Sequence, residues 1–162
     1  MKPCFFGILI QRGALRWTMK AVAGELARAR RYEEPLAVVM FDIDHFKAVN
    51  DRHGHLVGDQ VLIELALRLR GHLRTTDVLA RWGGEEFVVL LPHNNVEAAA
   101  RLAEKLRLAT LAQPFPVAGI LTISLGVAGY QPDETLDRWF TRADNALYAA
   151  KAAGRDRVVI AA

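Results

Sequence analysis

The stretch Leu36-Ala37-Val38-Val39-Met40-Phe41-Asp42-Ile43 is apolar at every position except Asp42. A run of this length without alternation predicts a central strand covered on both faces, because a half-exposed strand would place a polar residue at every second position. Glu33-Glu34-Pro35 precedes it and stops the helix expected before it. Two acids, Asp42 and Asp44, sit at its C-terminal end. The most buried element of the chain therefore delivers carboxylates to the rim of a sheet, where ligands of open sheets tend to bind.

Around that strand, apolar periodicity sorts the chain into alternating elements. Residues 14–31 read as a helix with Arg28, Arg30 and Arg31 on its outer face. A short helix is expected over 45–51, and His53-Gly54-His55 reads as a loop. A helix over 56–74 places Val61, Leu62, Leu65, Leu69 and Leu73 on one stripe. Asp77 to Trp82 and Glu85 to Leu91 read as paired strands. Gly83-Gly84 between them reads as a two-residue turn, since glycine readily supplies the positive φ of tight hairpins. A third long helix is expected over 95–112, broken by Pro114 and Pro116, then a strand from Ile120 to Ala128. Leu136, Trp139, Phe140, Ala143, Leu147 and Ala150 form a helical stripe over 135–152, which Gly154 closes. Val158 to Ile160 is the last strand. Helices interleaved with one hairpin predict an α+β or α/β sheet of mixed strand direction, and 162 residues make a single domain, 1–162.

Composition narrows the class. With 52% hydrophobic and 24% charged residues the chain buries a core and is not disordered. The 21 basic against 18 acidic residues leave a small, scattered positive excess, which speaks for anionic small ligands rather than nucleic acid. The single cysteine, Cys4, excludes an internal disulfide and a cysteine metal cage, and fits a cytoplasmic location. No apolar run approaches the ~18 residues of a membrane span, and Phe5 to Ile10 is too short and too soon interrupted by Gln11-Arg12 to be a leader.

Three features carry chemistry. The first is Asp42 at the strand tip, followed by Lys47, Asn50 and Asp59. The second is Gly83-Gly84-Glu85-Glu86-Phe87: two glycines leave backbone N–H groups uncovered for a bulky anion, and two acids follow. Asp42 with Glu85 or Glu86 suits Mg²⁺, which takes a few carboxylates together with phosphate oxygens. The third is the pair Lys151 and Arg155, four apart at a helix end, where the helix dipole also favours cations; they place two positive charges near one phosphate tail. From spacing alone these describe a metal-dependent nucleotide site, set against a plain solvated hairpin. The histidines His45, His53 and His55 resemble metal-ligand spacing but lie in a loop without a fixed helical face. Trp82 and Phe87 read as packing residues.

Four blocks in order then resemble the GGDEF family of diguanylate cyclases. They are Arg81-Trp82-Gly83-Gly84-Glu85-Glu86-Phe87, Phe41 to Asp51 continuing through Gly54-His55 and Gly58-Asp59, Ala143 to Lys151, and Gly154-Arg155-Asp156-Arg157-Val158. The resemblance covers residues 36–160. It implies an α+β fold whose central, mainly antiparallel five-stranded sheet has a nucleotidyl-cyclase or ferredoxin-like core, with the Gly-Gly hairpin at the active site. It implies Asp42, the Ile43 carbonyl and Glu85 as ligands of Mg²⁺ (or Mn²⁺), with Glu86 beside the metal and ribose. Asn50 and Asp59 become the guanine readers, a carboxylate accepting from N1–H and N2–H. Asp59 favours GTP, since the family's adenine-accepting variants change that position. Phe46 and Lys47 lie around the phosphates, Lys151 and Arg155 grip the terminal phosphates, and His55 lines the base pocket.

The implied reaction joins two GTP into cyclic di-GMP with loss of two pyrophosphates, on two domains brought face to face as a homodimer. Glu85, or else Glu86, takes the hydroxyl proton. Arg74-Thr75-Thr76-Asp77 matches the family's inhibitory motif, at which product binds away from the active site; the other reading is a helix end at Arg74 and a strand start at Asp77. Lys105 falls where the family often has a third cationic contact, Arg. The family's usual opening, Asp-x-Leu-Thr-Gly-Leu-x-Asn-Arg-Arg, is altered here: Phe5 to Arg12 keeps Gly7 and Arg12 and lacks the Asp, Thr and Asn. That departure favours a second reading, a domain that senses GTP or cyclic di-GMP without turnover; the intact acids Asp42, Glu85 and Glu86 favour the enzyme.

Overall fold

The computed structural model describes residues 14–162, so the altered opening around Phe5 to Arg12 and Cys4 lies outside the described residues. In chain order the elements are α1 (Ala14–Tyr32), β1 (Leu36–Ile43), α2 (Phe46–His53), α3 (His55–Arg70), β2 (Val78–Arg81), β3 (Glu86–Pro92), α4 (Val96–Leu111), β4 (Ile123–Gly129), α5 (Leu136–Ala152) and β5 (Val158–Ile160). β1 is buried along its whole length, as its unbroken apolar run predicts. Ala37, Val39, Phe41 and Ile43 face a core shared with α2, α3 and α4. Val38 and Met40 face a second core shared with α1 and α5.

The sheet has the order β2-β3-β1-β4-β5. β1 runs antiparallel to both β3 and β4, β2 antiparallel to β3, and among the described residues only β4–β5 is parallel. The mixed, mainly antiparallel five-stranded sheet flanked by helices is thus present. Its first four strands, with the helices between them, form the βαββαβ arrangement of ferredoxin-like folds, and α5 and β5 extend it past β4. Phe41 and Phe87, paired across β1 and β3, stack with centroids 5.2 Å apart.

Several boundaries differ from the sequence reading, and β4 begins at Ile123 rather than Ile120. Gly54, at φ 86°, alone separates α2 from α3, so His53 and His55 are helix-end residues rather than a loop. α3 ends at Arg70, and Leu73 and Arg74 belong to the turn after it. The β2–β3 connection runs from Trp82 to Glu85, and neither Gly83 nor Gly84 has positive φ. Trp82 leaves the strand because its ring packs on Phe140 of α5, centroids 5.3 Å apart. Its N–H and that of Gly83 both reach the Glu86 carbonyl, at 2.8 and 3.3 Å, which closes a wider bend.

α5 lies directly on β4. A Cβ added at Gly126 would stand 2.2 Å from the Ala143 carbonyl oxygen and 2.3 Å from the Leu147 nitrogen, both helix backbone. The helix ends in a Schellman motif: the Arg155 N–H bonds the Ala150 carbonyl at 3.0 Å, the Gly154 N–H bonds that of Lys151 at 3.2 Å, and Gly154 takes φ 111°. Close seating on β4 and a defined stop together decide where Lys151 and Arg155 emerge. Gly126→Ala is expected to destabilise the domain by about 3 kcal/mol, because neither backbone can yield the missing ångström without shifting α5. Urea unfolding checks this, and a loss well under 1 kcal/mol would show that the helix is not seated as described.

Candidate active site

Asp42 is the last-but-one residue of β1, opposite Glu86 of β3 and Ser124 of β4. Its alternation places it on the α1/α5 side of the sheet, where the Lys151 ammonium meets Oδ2. Oδ1 is buried and has no hydrogen-bond partner. Burial pushes the Asp42 carboxyl above its ordinary value, against the hydrogen bond and charge of Lys151, with the charges of Glu85 and Asp44 adding to the rise. Glu86 sits directly across the ladder, a like-charge pairing that costs stability in an ordinary sheet.

Asp44, the second acid of the strand tip, is fully occupied. Oδ1 accepts from Ser124 Oγ at 2.7 Å, and Oδ2 accepts from Thr122 Oγ1 at 2.6 Å and the Asp156 N–H at 3.1 Å. The two acids thus divide: Asp44 is satisfied within the protein, while Asp42 keeps one buried oxygen free. That orphaned oxygen, the half-buried Glu85 and the strand-end carbonyl at Ile43 suit a hard divalent cation, which takes one or two carboxylates and leaves its remaining positions for phosphate and water. No three His, Cys, Asp or Glu side chains among the described residues converge on a common point, so His45, His53 and His55 do not form a cluster.

The bend is held from below. Arg81 Nε donates to the Gly84 carbonyl at 2.8 Å and, more weakly, to that of Gly83 at 3.3 Å. A Cβ at Gly84 would meet nothing within 4 Å, so the space above the bend is open to a ligand. Arg81 stood in the sequence motif without a role of its own.

The remaining residues lie around this rim. Asn50, on α2, is half-buried, and its Oδ1 is enclosed without a partner. Gly58 explains its placement: a Cβ there would fall 1.9 Å from Asn50 Oδ1. Asp59 and His55 are exposed on the first turns of α3, and Lys47 is exposed on α2. Phe46 buries its ring in the core, leaving only its backbone to offer a ligand. Arg155 is exposed just past α5.

Arg74 and Asp77 close the turn between α3 and β2. The Arg74 N–H donates to Asp77 Oδ2 at 2.8 Å and the Asp77 N–H to the Arg74 carbonyl at 3.2 Å. Asp77 is buried with Oδ1 unpaired, while the Arg74 side chain is exposed. Lys105 is exposed on α4. Among the described residues, neither Arg74 nor Lys105 forms an ion pair.

Comparison with known proteins agrees with this fold. The family model "Diguanylate cyclase, GGDEF domain" matches residues 16–157. The chain is similar to the diguanylate cyclase DgcP of Pseudomonas aeruginosa, 49% identical over 140 residues, covering 85% of this chain and 21% of that protein. It is also similar to the response regulator PleD of Caulobacter vibrioides, 42% identical over 138 residues, covering 82% and 30%. The active GGEEF domain of a diguanylate cyclase from Vibrio cholerae superposes with a TM-score of 0.85 at 34% identity, covering 96% of this chain and 99% of that one. The GGDEF domain of DgcB from Caulobacter crescentus, solved in complex with c-di-GMP, gives 0.86 at 29% identity, covering 93% and 98%. The chain spans between 21% and 40% of the length of the curated relatives named first by similarity.

The buried turn carboxylate has a pH signature. Burial raises the Asp77 carboxyl above its ordinary value, against the Arg74 N–H and the charges of Arg74 and Arg70. A carboxyl raised on folding contributes its stability in full below the unfolded value and loses it as pH rises through the folded value. Asp77→Asn does not titrate, so its stability relative to the parent is expected to rise as pH is raised above about 4, the ordinary carboxylate value. Paired urea midpoints read this; a difference that stays constant above that value refutes the buried-carboxylate account.

Proposed function

The chain belongs to the GGDEF family of diguanylate cyclase domains, and from that membership we propose that residues 1–162 form one domain that condenses two GTP into cyclic di-GMP. The observation that carries the reading is Asp42: a buried strand-end carboxylate with one oxygen unpaired, beside the bend acids Glu85 and Glu86. Asp42, the Ile43 carbonyl and Glu85 would hold Mg²⁺ (or Mn²⁺). When bound, the metal neutralises phosphate charge and lowers the pKa of the attacking hydroxyl.

The protein's own groups do the rest. Asn50 and Asp59 read the guanine edge, with His55 beside the base and Gly58 making room for the Asn50 amide. The open backbone at Gly83-Gly84, with Phe46 backbone and Lys47, surrounds the phosphates. Lys151 and Arg155 meet the terminal phosphates; Lys151 already lies on Asp42, within reach of anything that carboxylate holds. Each ribose 3′-oxygen forms a bond to the α-phosphorus of the facing GTP, the bond from that phosphorus to the β-bridging oxygen breaks, and pyrophosphate leaves. Glu85 accepts the hydroxyl proton, or Glu86 where Glu85 is engaged. One domain carries one GTP, so two copies meet rim to rim, and encounter controls rate. A cytoplasmic site of action follows from GTP as substrate.

Product is read at Arg74, Asp77 and Lys105. The Arg74 fork faces guanine O6 and N7, and the unpaired oxygen of Asp77 takes the N1–H edge. Lys105 supplies charge without the planar fork of arginine, which weakens the third contact.

Incubation with GTP and Mg²⁺ is expected to yield cyclic di-GMP, with activity per molecule rising as protein concentration rises. Bound GTP without product at high protein concentration would instead establish a sensor. Glu85→Ala is expected to lower turnover by at least about a hundredfold with the fold intact, and unchanged turnover would remove Glu85 from the site. The hydrogen bonds that Arg74 gives the turn come from its backbone, so Arg74→Ala keeps them. It is expected to raise the half-inhibiting product concentration by about tenfold. Inhibition unaltered in that variant would exclude the second site.

A further inference from the structure

Past the end of α5 the backbone is forced. Gly154, Arg155 and Asp156 take φ of 111°, 64° and 44° in succession. Glycine adopts that region freely, whereas two consecutive L-residues stay there only when their surroundings over-determine them. The surroundings come from three parts of the chain. From the end of β1, Asp44 Oδ2 accepts the Asp156 N–H at 3.1 Å, and the same carboxylate is fixed by Thr122 and Ser124 at the start of β4. From α4, Arg107 Nη1 donates to Asp156 Oδ1 at 2.8 Å. Arg107 is itself held by both oxygens of Glu104, at 2.6 and 2.8 Å, and these two acids raise its affinity for its proton.

Asp156 is therefore clamped by main chain and side chain at once. Its neighbour Arg155 is exposed, and the Arg155 guanidinium makes no hydrogen bond among the described residues. The clamp ties the turn after α5 to α4 and to the end of β1. What it controls is the direction in which one free cation leaves the backbone.

We propose that Asp44 and Arg107 are positioning residues which, through Asp156, hold the left-handed turn that presents Arg155 to the polyphosphate tail of a nucleoside triphosphate. The inference rests on the GTP reading for its ligand. It predicts that the clamp matters for a nucleotide long enough to reach Arg155 and is silent for one that is not.

The test is a double-mutant cycle read by calorimetric titration with GTP and with GMP in the presence of Mg²⁺. The proteins are the parent, Arg107→Met, Arg155→Met and the double variant, each checked for its melting transition. Arg107→Met is expected to weaken GTP about tenfold, the worth of one charged hydrogen bond. GMP affinity stays unchanged, and Arg107→Met adds nothing once Arg155→Met is present. Arg107→Lys, which keeps charge but loses the fork to Glu104 and Asp156, restores little. If Arg107→Met does not fold, Thr122→Val, which removes one bond from Asp44, shows the same pattern at smaller size. Additive losses in the double variant, an equal loss for GMP, or no loss for GTP overturn the proposal. A parent that binds GTP but forms no cyclic product overturns the cyclase reading alone, and the same titrations still decide the clamp. A parent that binds no GTP overturns both.

Discussion

Two carboxylates at the end of a strand buried on both faces must each find a partner or remain costly to fold. Asp44 finds its partners inside the protein: two hydroxyls and a backbone amide surround it. Asp42 finds one, Lys151, and keeps a bare oxygen. Much of the architecture follows from that difference. β4 must bring Ser124 beside β1, and α5 must lie close enough on β4 for its last turn to reach Asp42. That closeness is why Gly126 has no room for a side chain. The turn after α5 must then fold back so that the Asp156 amide meets Asp44.

The same division separates what the sequence makes legible from what it does not. β1, the helical stripes and a hairpin among helices follow from local period, because each element buries a face its own residues define. The β2–β3 bend does not. Glycine pairs suit a two-residue turn, but the long-range packing of Trp82 on Phe140 widens the connection to four residues. The end of α3 is similar: Leu73 stands at helical spacing, yet its half-burial comes from the turn after the helix. Within the rim, Asp42 and the bend acids stand out by their spacing, and Asn50 is singled out by the resemblance. The role of Asp44 is invisible there, since a carboxylate beside a carboxylate looks like a second ligand. Its partners lie 78, 80 and 112 residues further along the chain.

Glycine carries two different messages in this chain. At Gly84 its bareness leaves space outside the protein surface. At Gly58 it leaves space inside, into which Asn50 turns its amide. Sequence marks both with the same letter, and only the neighbours tell a ligand's room from a side chain's.

The outermost strands are brief: β2 has four residues and β5 has three. Margins so short offer little backbone for another sheet to zip onto, which blunts templated aggregation. Copies of this domain are thereby discouraged from merging into a continuous ribbon.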